Sequence, residues 1–291
     1  ELLETRWIRR KRTLDKANAP SETAEMNFPN VREVLTELAA DLVACLRFYS
    51  RLPIPPLGFE SNPHGAEISA RVKMLPLAGA LIGSLAALVL LLVTELGLTP
   101  QIAAIFAIFT LIIVTGAFHE DGLADFADST GGATPEQRLI IMKDSRIGTF
   151  GMLALLASVL LRIFTVSILA RHNIALAGLI LIATGAVSRT LGLLPLALLP
   201  PARAEGAGFS ARSDQPPLRT AALLAFLVSL LPLLAGASFW RVLGGLLISA
   251  AAAYGITALA RRQLGGQTGD VAGAAQQAAE IAAYLVFAAR I

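Results

Sequence analysis

Residues 75–98 read LPLAGALIGSLAALVLLLVTELGL, an apolar stretch in which Glu95 is the one charged residue. A helix needs about 20 apolar residues to cross the hydrocarbon core of a bilayer, so this stretch is long enough to be a transmembrane helix. Six further apolar runs follow it, at residues 101–118, 148–170, 174–200, 218–237, 242–260 and 273–290. The last run is the weakest candidate because it contains Gln276, Gln277 and Glu280. The sequence therefore predicts an all-α, polytopic transmembrane helix bundle with about seven spans.

The composition supports the same fold class. Of the 291 residues, 55% are hydrophobic and only 15% are charged, and the mean hydropathy is +0.66. Soluble domains usually contain about a quarter charged residues, so the composition disfavours a soluble enzyme, a fibrous protein and a disordered chain. The net charge of +3 is too small to indicate nucleic-acid binding, and the partner expected is the lipid bilayer. The single cysteine, Cys45, excludes an internal disulfide and a cysteine-based metal site, and we expect a buried, inert thiol.

Charged residues are unevenly distributed along the chain. Residues 1–75 contain 11 Lys or Arg and 10 Asp or Glu, although they are only a quarter of the sequence. Apolar residues recur at helical spacing over residues 31–49, which indicates an amphipathic helix, and a proline-rich stretch then ends it. We expect three regions: a polar N-terminal extension (1–30), a cytoplasmic amphipathic, interfacial segment (31–73) and a transmembrane catalytic domain (74–291).

Basic residues predict the orientation of the bundle. If the N-terminus is cytoplasmic, the segments on that side contain 19 of the 24 Lys and Arg, and the outer segments contain 3. All polar and glycine-rich segments then fall on the cytoplasmic side, which favours an enzyme with cytosolic substrates over a transporter that needs polar access from both faces. The cytoplasmic segments would be residues 1–74, 119–147, 201–219 and 261–272.

The segment HEDGLADFAD, residues 119–128, places four carboxylates directly after an apolar run, where such groups are costly. On a helix with 100° per residue, Asp121, Asp125 and Asp128 fall on one face. Their charges repel unless a cation neutralises them, and carboxylate oxygens suit Mg²⁺, or Mn²⁺ in its place. We therefore predict a metal site at these three residues, with Glu120 as a lower-ranking ligand. The alternative is a solvated helix end, where acidic residues favour the N-terminus.

Two further cytoplasmic motifs suit phosphate. In MKDSRIGTFG, residues 142–151, Lys143 and Arg146 are three apart and can share a helix face, although basic residues at a helix entry also serve as positive-inside anchors. In LGGQTGD, residues 264–270, glycines allow backbone N–H groups to approach a phosphate. Within the spans, Arg189 is expected to face the site, whereas Arg162 is expected to snorkel outwards.

Together these motifs are similar to those of a known family. His-x-Asp-Gly-x-x-Asp-x-x-Asp at residues 119–128, followed by Met-Lys-Asp-Ser-Arg-Ile-Gly-Thr-x-Gly at residues 142–151, resembles cobalamin synthase, the membrane-bound adenosylcobinamide-GDP ribazoletransferases. The similarity runs from about residue 45 to the C-terminus. It includes three more motifs: Arg51-Leu52-Pro53, Pro76-Leu77-x-Gly79-x-x-x-Gly83 and Gly265-Gly266-x-Thr268-Gly269-Asp270.

The resemblance implies a Mg²⁺-dependent transfer in cobalamin biosynthesis, at the cytoplasmic face of the bacterial inner membrane. Adenosylcobinamide-GDP receives α-ribazole or its 5′-phosphate, which gives adenosylcobalamin or its phosphate and releases GMP. The metal ligands would be Asp121, Asp125, Asp128 and Glu120. Catalytic roles would fall to His119, Asp144, Lys143 and Arg146. Lys143 and Arg146 would bind the diphosphate, and either His119 or an aspartate would act as the base. Substrate contacts are expected from Arg51, Arg189, Arg203, Gly266, Thr268, Gly269 and Asp270.

Three alternatives fit the sequence less well. A CDP-alcohol phosphotransferase also joins a hydroxyl to a phosphoryl group, but its Asp-Gly-x-x-Ala-Arg pattern is broken here by Asp125. An aspartate-rich membrane prenyltransferase expects a second acidic motif, for which only Asp270 is available. A cation transporter with an aspartate relay would need polar outer loops, and those loops are short and featureless.

Overall fold

The computed structural model describes residues 30–60, 71–203 and 215–289 of the chain. By compactness the chain divides into two units, residues 1–35 and 36–291. Residues 30–35 are the described part of the first unit and contain the start of a helix. The described residues form helices and no β-strand: α1 Val31–Tyr49, α2 Leu75–Glu95, α3 Pro100–Thr115, α4 Phe118–Ser129, α5 Pro135–Ile141, α6 Thr149–His172, α7 Ile174–Leu191, α8 Leu194–Leu198, α9 Gln215–Ser229, α10 Phe239–Leu264 and α11 Gly269–Ala288, with 3₁₀ turns at Val72–Met74 and Leu231–Ala235.

The predicted transmembrane helix bundle is confirmed. Within the described ranges, six helical stretches are long and apolar enough to cross a membrane, and α3 with α4 makes a seventh if that bent pair counts as one span. The six are Val72–Glu95, Thr149–His172, Ile174–Leu198, Pro217–Ala235, Phe239–Leu264 and Gly269–Ala288.

The second predicted span differs from a simple membrane-crossing helix. α3 has 16 residues and meets α4 at an angle of 87°. Gly116 and Ala117 form the corner, with φ of 66° and 57°. Glycine adopts this left-handed conformation freely, whereas a side chain makes it strained at Ala117. The corner turns α4, which carries the acidic motif, away from the direction of α3.

The core lies between the apolar faces of α2, α3, α6 and α7, and its central side chains are fully buried: Ile82, Leu90, Ile108, Leu169 and Ile180. α2 and α7 approach closely because small residues lie at their contact. A Cβ atom on Gly79 would overlap the carbonyl oxygen of Gly185, and one on Gly83 would overlap that of Leu181. Such small residues let membrane helices pack at short range.

α11, the weakest predicted span, is among the most enclosed helices of the bundle, with 67% of its apolar window buried. Its polar residues face inwards: Gln276 and Gln277 are 1% exposed and Glu280 is 2% exposed. Gln276 donates to Ser188 Oγ and Glu280 Oε2, and Gln277 accepts a hydrogen bond from Ser158. Polar groups at membrane depth need such internal partners.

Arg162 does not snorkel, so that expectation was wrong. Its side chain is 1% exposed, and Nη1 lies 2.9 Å from Glu120 Oε1 and 3.4 Å from Glu280 Oε1. The two carboxylates come from α4 and α11. Both helices are distant from Arg162 in the sequence, so the local pattern around Arg162 did not indicate these partners. We call Glu120, Arg162 and Glu280 the buried ion triad.

The N-terminal part of the second unit follows the predicted pattern of a helix that prolines end. α1 stops at Tyr49, and Arg47 then binds both Glu60 oxygens, at 2.6 and 2.7 Å. Cys45 is fully buried, as expected, and burial raises the pKa of its thiol to about 12. The division into regions at residues 30 and 73 stays a prediction, and residues 1–29 lie outside the described ranges.

Candidate active site at one end of the bundle

Three of the segments expected to be cytoplasmic, 119–147, 201–219 and 261–272, meet at one end of the bundle. Arg203 donates to Leu139 O, and the Ala202 N–H donates to Gln267 O, which joins the three segments. The opposite end has contacts of its own, such as Asn173 to Ala235 O. The polar motifs therefore form one continuous region.

Arg51 lies at the corner between α3 and α4. Its N–H donates to Val114 O at 2.7 Å, and its exposed side chain covers Gly116, where a Cβ atom would lie 2.6 Å from Arg51 Nε. Gly116 therefore serves both the left-handed turn and the close approach of this arginine.

Asp128 links the two sequence motifs. Its Oδ2 accepts the Gly148 N–H at 2.7 Å and its Oδ1 accepts the Gly151 N–H at 2.8 Å. N–H groups at the start of a helix have no partner within the helix, so Asp128 supplies one for each of these two. A carboxylate at this position also interacts favourably with the helix dipole. A Cβ atom on Gly148 would lie 2.5 Å from Asp128 Oδ1, and one on Gly151 would be closer still to Oδ2. The glycines of the second motif thus make room for the last aspartate of the first.

The other acidic side chains of α4 point to different surroundings. Glu120 is 6% exposed and bonds to Arg162 at 2.9 Å and to Gln277 at 3.3 Å, inside the bundle. Asp121 is exposed and Asp125 is half-buried at the end of the bundle. Glu120 therefore points away from the predicted acidic face and into the bundle.

α4 crosses α11 at a point where glycines replace side chains. A Cβ atom on Gly122 would lie 2.8 Å from Asp270 O, and one on Gly273 would lie 3.2 Å from His119 O. The crossing brings Asp270 to the acidic face, and Asp125 interacts electrostatically with Asp121, Asp128 and Asp270. We call these four carboxylates the acidic edge. Arg203 Nη1 lies 3.9 Å from Asp270 Oδ2 and forms an ion pair with it.

The donor atoms of the acidic edge fit a hard divalent cation. All four side chains are carboxylates, and their mutual repulsion favours a bound positive charge, although both oxygens of Asp128 already accept N–H groups. Among the described residues, no group of three or more His, Cys, Asp or Glu side chains is already gathered around one point. Mg²⁺ commonly takes one or two protein carboxylates and completes its shell with water and substrate phosphates, so two carboxylates suffice. Asp121, Asp125 and Asp270 can supply them.

The basic residues of the second motif lie in the loop between α5 and α6, so they do not share a helix face as predicted. α5 is only 7 residues long and ends at Ile141, and α6 begins at Thr149, after its N-cap Gly148. Lys143 is exposed, and Arg146 binds Asp144, with Nη2 to Oδ2 at 2.6 Å. This pairing lowers the pKa of Asp144 to about 2.

The glycine-rich loop packs against the chain that follows α8. A Cβ atom on Gly266 would lie 2.6 Å from Pro200 O, so this glycine serves a close backbone approach. Thr268 is the N-cap of α11 and accepts the Val271 N–H at 3.3 Å, while Gly269 begins the helix. The loop therefore fixes the start of α11 and hence the position of Asp270.

A narrow cleft, open on one side and with about 30 Å³ of water-accessible volume, lies beside the α4–α11 crossing. His119 is 4% exposed and stacks on Tyr49, with ring centroids 6.2 Å apart. Arg189 is 3% exposed; its Nη1 donates to Gly185 O at 3.1 Å, and its Nε has no partner among the described residues. The remaining lining residues are Phe48, Phe118, Gly192, Leu193, Leu196, Gly269, Ala272, Gly273 and Gln276.

Of the residues that line this cleft, only His119, Arg189 and Gly269 were predicted as site residues; Phe48, Tyr49, Phe118 and Gln276 are among those that were missed. The available signal was two aromatic pairs, Phe48-Tyr49 before the proline-rich stretch and Phe118-His119 at the acidic motif.

Comparison with known proteins agrees with the sequence motifs. The profile of the cobalamin-5-phosphate synthase family matches residues 41–288. Three similar proteins are each named adenosylcobinamide-GDP ribazoletransferase. The protein of Azorhizobium caulinodans is 43% identical over 251 residues, 85% of this chain and 94% of its own length. Those of Rhizobium etli and Bradyrhizobium diazoefficiens are 40% and 41% identical, over 85% and 88% of this chain and 96% of each relative. No solved structure matches the chain.

Proposed function

The chain belongs to the cobalamin-5-phosphate synthase family and is a cobalamin-forming transferase, and we propose that it catalyses ribazole transfer at the acidic edge. Its substrates are adenosylcobinamide-GDP and α-ribazole or α-ribazole 5′-phosphate, and GMP is the leaving group. The observation that carries this location is the α4–α11 crossing, which gathers four carboxylates, a buried arginine and a cleft at one end of the bundle.

The reaction exchanges one phosphorus–oxygen bond for another. A ribose hydroxyl oxygen of the acceptor forms a bond to the phosphorus that carries the cobinamide arm. The bond from that phosphorus to the GMP oxygen breaks, and GMP leaves with the electron pair. The hydroxyl proton passes to a base. Because negative charge grows on the phosphoryl and leaving oxygens, positioning and electrostatic stabilisation supply most of the catalysis.

Asp121, Asp125 and Asp270 are proposed to hold Mg²⁺, or Mn²⁺ in its place. When bound, the cation neutralises charge on the diphosphate and its leaving group. Glu120 and Asp128 bind protein groups, so we assign to them the task of holding α4 in position. Each keeps α4 attached to α6, one through Arg162 and the other through the start of the helix.

Lys143 and Arg146 suit the diphosphate because both are exposed in a loop at the same end of the bundle. Asp144 is a weak base because Arg146 holds its pKa near 2, far below neutral pH. His119 is the better base candidate, since its ring lines the cleft beside the acidic edge.

The chain is a membrane protein, and its relatives come from bacteria. We place the acidic edge at the cytoplasmic face of the inner membrane. Support comes from the distribution of Lys and Arg, because the segments that meet at this end are those expected inside by charge.

The experiment that tests the function is GMP release by purified, full-length protein in lipid nanodiscs. Adenosylcobinamide-GDP, α-ribazole 5′-phosphate and Mg²⁺ are supplied together, and each is omitted in turn. We expect GMP only when all three are present, and none after chelation with EDTA. Absence of GMP with folded protein and active substrates would refute the proposed function, and full activity in EDTA would refute the role of the cation.

A further inference from the structure

The cleft beside the α4–α11 crossing, here called the aromatic cleft, has a second feature that the acidic edge lacks, an apolar wall. Phe48 and Phe118 are 43% and 38% exposed at the end of the bundle, with ring centroids 6.0 Å apart. Tyr49 and His119 are buried next to them. Resting on the function proposed above, we propose that the aromatic cleft binds the acceptor nucleotide, ribazole 5′-phosphate, with its base on this wall and its phosphate at Arg189.

The wall suits the base of ribazole better than it suits guanine. The ribazole base is a methylated benzimidazole, which offers a flat ring and an apolar edge. Aromatic side chains bind such rings by stacking, and Leu193 and Leu196 add apolar surface. Guanine presents N–H donors that commonly need a carboxylate acceptor, and no Asp or Glu is among the described residues that line the cleft.

Arg189 provides the charge that the nucleotide phosphate needs. It is 3% exposed, lines the cleft, and its Nε–H has no partner among the described residues. Buried polar groups are normally bonded, and a guanidinium is well suited to phosphate oxygens, so a ligand phosphate would satisfy this donor. Gly79 makes room for the side chain, because a Cβ atom there would lie 3.0 Å from Arg189 Cδ.

The start of α11 adds to the positive potential of the cleft. Gly269, Ala272 and Gly273 line it in the first turns of that 20-residue helix. Helix N-termini favour anions, and here they do so beside a buried arginine.

The aromatic cleft and the acidic edge share the same crossing. His119 lines the cleft two residues before Asp121, and Gly269 lines it one residue before Asp270. A nucleotide in the cleft therefore lies next to the carboxylates proposed to hold the cation. Its ribose, between base and phosphate, is the part that has to meet the activated phosphorus.

The test separates the two substrates by their KM values and also measures binding without turnover. Full-length wild type, Phe118→Ala and Arg189→Lys are compared with Phe109→Ala, which removes an exposed ring from α3 (46% exposed) away from the site. Ribazole 5′-phosphate binding is measured by calorimetry in nanodiscs without adenosylcobinamide-GDP. KM is measured for ribazole 5′-phosphate, for unphosphorylated ribazole and for adenosylcobinamide-GDP.

For Phe118→Ala we expect KM for both ribazole forms to rise about tenfold, the loss typical when one stacked ring is removed from a base. KM for adenosylcobinamide-GDP should stay within about twofold of wild type, as should all values for Phe109→Ala. For Arg189→Lys, KM should rise for the 5′-phosphate and not for unphosphorylated ribazole, which a merely structural role would not produce.

Three results would overturn the proposal. One is a rise confined to the KM for adenosylcobinamide-GDP, which would assign the cleft to the guanine nucleotide. Another is a rise in Phe118→Ala matched by Phe109→Ala. The third is unchanged ribazole 5′-phosphate binding in both cleft variants. If wild type binds ribazole 5′-phosphate at the cleft but releases no GMP, the proposed function fails and the cleft assignment stands.

Discussion

Replacement of Arg162 by methionine tests how the bundle holds its acidic helix. The substitution removes the positive charge of the buried ion triad and keeps a long apolar side chain on α6. Glu120 and Glu280, 6% and 2% exposed, are then left without their shared partner at 2.9 and 3.4 Å. Gln276 and Gln277 still donate to these carboxylates, so part of the polar network remains.

The loss is large because two carboxylates stay in a water-poor interior. Removing one partner of a buried ion pair typically costs about 3–5 kcal/mol. At about 2–4 °C per kcal/mol, the value for domains of 150–250 residues, this corresponds to roughly 6–20 °C. The measurement is the apparent unfolding temperature in detergent, followed by intrinsic fluorescence or by loss of monodisperse protein.

Two controls isolate the triad from general damage to α6. Arg171→Met, at the exposed end of the same helix, should change the unfolding temperature by no more than about 2 °C, since surface substitutions usually stay within ~0.5 kcal/mol. The triple variant that adds Glu120→Gln and Glu280→Gln to Arg162→Met should recover most of the loss, because no unpaired charge remains. An Arg162→Met protein as stable as Arg171→Met would refute the reasoning.

Three further predictions concern Gly151 at the start of α6, Cys45 in α1 and Asp144 in the loop between α5 and α6. Gly151→Ala should lower the unfolding temperature, by an amount equivalent to about 1–3 kcal/mol, because the added methyl group overlaps the Asp128 carboxylate. The double variant with Asp128→Ala should recover part of this loss, and an unchanged loss would contradict the packing. Cys45 should resist maleimide at pH 7 in folded protein, since its thiol pKa is raised to about 12 by burial, and react after denaturation; rapid labelling of folded protein would contradict its position. Asp144→Asn should leave the shape of the pH–rate profile between pH 5 and 9 unchanged. The reason is that Arg146 lowers the pKa of Asp144 to about 2, so this carboxyl titrates only below that pH range. If the variant instead lost an ionisation between pH 5 and 9, Asp144 would be the base.

The sequence was sufficient for features that depend on local pattern. Apolar runs predicted the spans to within a few residues, and proline and helical spacing predicted α1 and its end. The one-sided distribution of polar motifs predicted that they would share one end. Helical periodicity also separated Glu120 from the acidic face of Asp121 and Asp125, a difference that the structure shows as burial against exposure.

The sequence was insufficient where contacts join distant segments. Arg162 and Glu280 are 118 positions apart, so no local pattern indicated that this arginine is buried with a partner. Asp128 looked like its neighbours Asp121 and Asp125, yet its oxygens accept two N–H groups from α6, 20 and 23 positions away. The sharp corner at Gly116 was hidden within a continuous apolar run, because hydropathy carries no information about φ.

The most direct test of the central claim is the rate of GMP release as Mg²⁺ is titrated, for wild type and for Asp125→Asn. Glu95→Gln, at the far end of α2, is the matched control for loss of one exposed carboxylate. If the acidic edge holds the cation for the transfer, Asp125→Asn should be folded and lose at least about 100-fold in rate at every Mg²⁺ concentration, or require far more Mg²⁺. Glu95→Gln should match wild type. A folded Asp125→Asn protein with the rate and Mg²⁺ dependence of wild type would contradict the assignment.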